Sequence, residues 1–272
     1  MLLFWILLTV VVCFFLYLYM IMPNTSRRSK ILPYLKRDYA HRGLHDSSRL
    51  IPENSMLAFR EAVKQNLAIE LDIHLTRDGK VVVFHDESLK RICNAEGTVE
   101  GSFDALQHLH LSGTSEHMPL FSDVLRYVNG RVPLLIELKL PDSNMKLCPA
   151  TWDILKDYKG PYMVQSFNSL GIRWFHKHAP QVLRGQLSSA LTRTNPENPF
   201  LARFCVQFLL TNLICRPDFI SYKLADAGNP SVWLNHYLYR IPMAVWTLRN
   251  QKAYKTARNK YDMYIFEGFS VK

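Results

Sequence analysis

The first 22 residues, MLLFWILLTVVVCFFLYLYMIM, carry no charged side chain, and from residue 38 onward short aliphatic runs alternate with stretches of helical period. At about 1.5 Å per residue, a 22-residue apolar helix crosses a hydrocarbon core of about 30 Å. The pattern therefore predicts one membrane-spanning helix over residues 1–22. A cleaved secretory signal would show basic residues before the apolar run and a small-residue cleavage site after it. Neither is present.

Eight runs have strand character: 39–41, 68–73, 132–138, 162–166, 183–187, 219–222, 243–247 and 263–267. Helical patterns lie between them. In NSMLAFREAVKQNL, Asn54 is placed to cap a helix whose Met56, Phe59, Val63 and Leu67 share one face. Strand then helix, repeated eight times, predicts an α/β fold of the TIM-type (β/α)8 class. Functional residues of that class collect at the C-terminal ends of the strands.

A further run, 81–84, follows the second strand after only LTRDGK. A parallel neighbour needs a crossover of a dozen residues or more, so this run is expected to fold back as a hairpin with Asp78 and Gly79 at its tip. His85 then returns beside Asp72. Residues 86–130 become an insertion above the barrel, with a helix expected in PLFSDVLRYVNG, and a second insertion spans 190–217. Within the latter, Phe200, Phe204, Phe208 and Leu201, Cys205, Leu209 recur four apart, which reads as a helix of about 16 residues. Too short for a second span, it either packs on the barrel or lays its apolar surface on the bilayer beside the anchor.

Composition adjusts this picture in two places. The formal charge is +10, which by itself would suit a nucleic-acid partner, but Arg27, Arg28, Lys30, Lys36 and Arg37 supply half of it without an opposing acid before residue 38. Basic residues just after a span set its orientation and attract anionic head groups. The reading is therefore a membrane-lipid partner, no nucleic acid, a basic linker over 23–37 and a barrel over 38–272 on the cytoplasmic side of a single-pass protein. Cys93, Cys148, Cys205 and Cys215 show no CxxC spacing, consistent with a reducing compartment. No obligate protein partner is evident.

The chemistry concentrates at strand ends. In IELDIHL, alternation puts Glu70, Asp72 and His74 on one face, and in PLLIELKL it does the same for Glu137 and Lys139. Carboxylates crowded in a barrel mouth need a cation between them or protons on them. Glu70, Asp72 and Glu137 together suit one hard divalent cation, Mg²⁺ or Ca²⁺. His41, at the end of the first strand, and His85 reach the same mouth and supply a general acid and base. His74 and the histidines at 108, 110, 117, 176, 178 and 236 read as packing residues. Three carboxylates, one divalent cation, Arg42 and Lys139 sum to plus one, which matches a phosphodiester.

The ordered motifs HRG (41–43), PENS (52–55), ELD (70–72), VVVFHD (81–86), IELK (136–139), SF (166–167) and WT (246–247) resemble those of the glycerophosphodiester phosphodiesterases, bacterial members above all. The resemblance implies a TIM-type barrel that hydrolyses glycerophosphodiesters to sn-glycerol 3-phosphate and an alcohol with a divalent metal, lysophospholipids being the alternative substrate. Its metal ligands fall on Glu70, Asp72 and Glu137, its acid/base pair on His41 and His85, and its phosphate contacts on Arg42 and Lys139. Gln165 and Trp246, at two other strand ends, become substrate-pocket candidates. Where the family often ends its last strand in TD, this chain has Phe266 and Glu267, so Glu267 lies near the mouth with no assigned role. Two rivals remain: a catalytically silent barrel that binds a phospholipid head group, and a metal-free phospholipase C of related mechanism, which would not need the three acids.

Overall fold

The computed structural model describes residues 1–140, 144–194 and 199–271. Eight parallel strands close into a barrel: β1 (Arg37–Ala40), β2 (Ala68–Leu75), β4 (Leu134–Leu138), β5 (Tyr162–Ser166), β6 (Arg184–Ser188), β7 (Phe219–Lys223), β8 (Met243–Leu248) and β9 (Met263–Phe266). The seam is β1 against β9, with Tyr39 opposite Ile265, and β1 against β2, with Tyr39 opposite Ala68. All eight expected strands form, with ends shifted by at most two residues. The segment 81–84 supplies β3 (Val81–Val83), antiparallel to β2. β1 reaches only as far as Ile69 along β2, and β3 takes the edge beyond it, pairing from Ile73 to Leu75. That places β3 over the end of β1, at the mouth.

Alternation sorts the barrel interior into two layers. At the base, Tyr39, Ala68, Leu135, Met163, Phe219, Ala244 and Met263 form an apolar cluster closed by Ile31, which is buried. One step up the same faces lie Glu70 and Asp72, Glu137 and Gln165, with Asp72 in register with Glu137 and Glu137 with Gln165. Gly185 is needed where β6 meets β7, because a Cβ there would fall 2.2 Å from the Phe219 ring. Outside, helices such as Met56–Lys64, Phe121–Val128 and Ser169–His178 cover the strands with Phe59, Val124, Val128 and Phe175. The insertion after β3 has its own small core of Val82, Phe84, Leu89, Ile92, Val99, Leu106, Leu111 and Met118.

Two local expectations change. The cap of Met56–Lys64 is Ser55, whose Oγ accepts from the Ala58 N–H at 3.1 Å; Asn54 stands in the left-handed region (φ 53°) with its side chain turned inward. The expected 16-residue helix is two pieces, Phe200–Gln207 and Asn212–Cys215. Leu209 has φ 56° and is fully buried, so the chain turns there to drive one side chain into the core. Leu2–Ile21 forms one helix long and apolar enough to cross a membrane.

Candidate active site

The HRG turn is built by backbone constraint. Arg42 and Gly43 both have positive φ (55° and 79°), and a Cβ at 43 would lie 2.8 Å from that of Ala58. The left-handed conformation costs a non-glycine residue about 1–2 kcal/mol. Here the Arg42 N–H is aimed at the Glu70 Oε2, 3.1 Å away, and the Asn54 N–H donates to the Arg42 carbonyl at 2.8 Å. The turn sets His41 and Arg42 at the mouth, and the guanidinium donates to Glu53 Oε1 at 2.6 Å with Nε 3.5 Å from Asp72.

Glu70, Asp72 and Glu137 are all buried and offer carboxylate oxygens within 4.8 Å of one another. Lys139 Nζ bridges Asp72 Oδ1 (3.0 Å) and Glu137 Oε1 (2.6 Å). Burial holds the Glu70 carboxyl well above the usual range, and the charges of Asp72 and Glu137 add to it. Burial likewise raises Glu137 in spite of Lys139. Burial opposes ionisation of Asp72 too, yet Lys139, His85 and Arg42 outweigh it and hold its carboxyl below the ordinary range. Such a set of buried oxygen donors, two of them raised by burial and mutual repulsion, fits a hard divalent cation, whose charge relieves that crowding. Gln165 is buried beside it, its Nε2 3.5 Å from Glu70 Oε1 and its own Oε1 without a hydrogen-bond partner among the described residues.

Both histidines lie close enough to feel the charge of Asp72, and each is backed by a carboxylate. His41 Nδ1 donates to Glu267, and His85 Nδ1 donates to Asp86 Oδ1 at 2.6 Å, leaving both Nε2 atoms for chemistry. Burial lowers both imidazole pKa values, against the pull of Glu267 on His41 and of Asp72 on His85. Trp246 packs edge-on against Phe167, and its buried indole N–H lacks an acceptor among the described residues.

Four residues escaped the sequence reading. Asn54 is buried and donates to Asp72 Oδ2 at 2.9 Å, orienting a cluster carboxylate. His74, read as packing, uses Nε2 to donate to the His85 carbonyl at 3.0 Å, with burial taking its pKa down to about 4. Arg91 joins Glu53 (2.7 Å) to Asp86 (2.6 Å) and so ties the two sides of the mouth together. Glu267 binds His41 and Arg249, the latter at 2.6 Å, and His45 stands 3.9 Å away. The PENS motif contains Asn54, strand alternation puts His74 on the face of the acids and the departure from TD puts Glu267 near the mouth, whereas Arg91 lies in no motif.

The glycerophosphoryl diester phosphodiesterase family model matches residues 41–272. The chain belongs to that family. A glycerophosphodiester phosphodiesterase of Bacillus altitudinis is 30% identical over 158 residues, 53% of this chain and 63% of that protein. The human lysophospholipase D GDPD1 is 28% identical over 157 residues, 52% of this chain and 48% of that protein. The chain thus spans between about half and two thirds of the length of such relatives. In fold it resembles a phosphodiesterase of Oleispira antarctica solved with its product sn-glycerol-3-phosphate: TM-score 0.68 at 22% identity, covering 86% of this chain and 94% of that one.

Proposed function

We propose that this member of the family hydrolyses glycerophosphodiesters to sn-glycerol 3-phosphate and an alcohol, with one Mg²⁺ or Ca²⁺ held by Glu70, Asp72 and Glu137. The observation that carries the reading is the pairing of His41 with Glu267 and of His85 with Asp86 beside that buried carboxylate cluster. Bound there, the cation would polarise a phosphoryl oxygen as a Lewis acid. Arg42 and Lys139 stabilise the charge that builds on the remaining phosphoryl oxygens. One histidine takes the proton of the nucleophile, a vicinal glycerol hydroxyl or water, and the other protonates the leaving oxygen. Gln165 holds Glu70 in place, and the Trp246 indole N–H donates to the substrate.

Residues 1–22 act as a retained anchor, 23–37 as its basic linker and 38–272 as the catalytic unit on the cytoplasmic side. Retention is supported by contacts to the last turns of the apolar helix: Tyr17 Oη meets Ser231 Oγ at 2.7 Å, and Asn212 Nδ2 donates to the Ile21 carbonyl at 2.8 Å. The anchor also favours a second reading, the same hydrolysis on lysophospholipids.

The test is incubation of the purified full chain with glycerophosphocholine, glycerophosphoethanolamine, glycerophosphoglycerol and lysophosphatidylcholine, with and without chelator. Turnover that chelator abolishes and Mg²⁺ or Ca²⁺ restores is expected. No turnover on any substrate, or turnover indifferent to chelator, refutes the proposal.

A further inference from the structure

We infer that the barrel mouth, not its base, faces the bilayer, with Phe200, Leu201, Phe204 and Trp233 seated at the lipid surface. This rests on the anchor reading above and goes beyond it. The direction follows from where successive anchor residues touch the barrel. Tyr17 meets Ser231, two residues after Asn229, whose Nδ2 donates to the Tyr222 hydroxyl and the Gln207 carbonyl. Tyr222 lies near the end of β7, and its hydroxyl also reaches the carbonyl of Ser189, just past β6. That level is the mouth. Further along the chain, the Asn24 N–H donates to the Pro217 carbonyl and Arg27 to the Val182 carbonyl, immediately before β7 and β6. That level is the base. From Tyr17 to Arg27 the chain therefore descends the barrel wall, and residues 2–16, exposed throughout, project on the mouth side.

Length then draws the barrel into contact with lipid. The free residues 2–16 span about 22 Å, short of a hydrocarbon core of about 30 Å. The rest must come from the docked turn, Tyr17–Ile21, which lies against the barrel wall. Apolar side chains on that side are exposed to match: Phe200 62%, Leu201 71%, Phe204 36% and Trp233 56%. Trp233 lies tilted against Tyr237, at 5.4 Å between ring centroids, and such rings favour the head-group zone. The basic stretch is carried to the opposite end, where Arg27 pairs with Asp218 at 3.1 Å and Lys36 with Asp262 at 3.4 Å. A mouth held against lipid takes phosphodiesters resident in the membrane directly from its surface.

The test uses the full chain in phosphatidylcholine vesicles containing lipid brominated along the acyl chain. Cys13, Cys93 and Cys205 are replaced by serine or alanine, Cys148 and Cys215 being buried, and a fluorophore is placed at F204C or, as base control, K159C. At least about twofold stronger quenching at 204 than at 159 is expected for a side chain seated at the acyl boundary. Equal quenching, or stronger quenching at 159, overturns the inference, as does a purified protein whose mass lacks residues 1–21. Glycerophosphocholine turnover of each labelled protein, measured in parallel, reports separately on the proposed activity.

Discussion

Replacing Glu267 by Gln removes the negative charge behind His41 while keeping the side chain's size. During turnover the imidazole becomes an imidazolium, and a carboxylate about 4 Å from its charge centre is worth about 4 kcal/mol at an effective dielectric of about 20. The two side chains are 12% and 17% exposed, so solvent screening reduces this by up to about half. About 2–4 kcal/mol corresponds to a loss of roughly 30- to 1,000-fold in kcat. KM should hardly change, because Glu267 touches His41 and Arg249 and acts through the ring. The pH profile gives a second signature. Burial lowers the His41 pKa and Glu267 holds it up, so the neutral amide lets it fall further and the limb of kcat/KM that follows His41 moves to lower pH. Rates for E267Q and R249Q, assayed from pH 5 to 9 on glycerophosphocholine, decide the matter; R249Q should be mild, since Arg249 is largely exposed. An E267Q enzyme within threefold of the parent, with both limbs of its pH profile unmoved, would refute the role given to Glu267.

His41→Ala and His85→Ala should each lower turnover by roughly 10²-fold or more with circular dichroism unchanged. Asn54→Ala should raise the metal concentration needed for half-activation by roughly 10- to 100-fold, as loss of a carboxylate-orienting partner does. Ser55→Ala, the actual cap, should leave metal activation alone and lower Tm by about 2–4 °C for about 1 kcal/mol. Glu70 and Glu137 have pKa values raised by folding. Above about pH 4.5 these two carboxyls bind more protons in the folded chain than in the unfolded one, so their contribution to stability without metal falls as pH rises. Because protons compete with the cation for those carboxyls, Mg²⁺ or Ca²⁺ held at one concentration, about 100 times its Kd at pH 8, should add about 2.7 kcal/mol at pH 8 and less at pH 5.5, and calorimetry should show the larger Tm increase at pH 8. Equal increases at both pH values would contradict the raised carboxyls.

The barrel was legible because its strands are covered on both faces and so appear as unbroken aliphatic runs, as in PLLIEL, between helices of clear period. The acids stood out for the opposite reason: Glu70, Asp72 and Glu137 are charges inside such runs. What stayed hidden depends on distant partners. Glu267 meets His41 across 226 residues, and only closure of β9 on β1 brings them together. Asn54 read as a cap because a cap needs only its neighbours, whereas its bond to Asp72 needs the folded HRG turn. His74 was lost among ten histidines, since its partner is a backbone carbonyl that carries no sequence signal. The break at Leu209 was invisible for a similar reason, the i+4 pattern continuing through a residue whose backbone turns left-handed.

The seam between β1 and β9 has a consequence for how damage to this protein would be felt. His41 stands just past the end of one seam strand and Glu267 just past the end of the other, so the Arg37–Ala40 ladder against Met263–Phe266 holds the imidazole and its carboxylate in reach. On the outside, Tyr254 fastens the same joint through Asp38 at 2.7 Å. Fraying of this joint separates the pair while the other six strands and the carboxylate cluster stay intact. A chain weakened there loses turnover while its spectrum and its metal affinity still look native, so among variants of the outer wall, inactivity is a sensor of barrel closure.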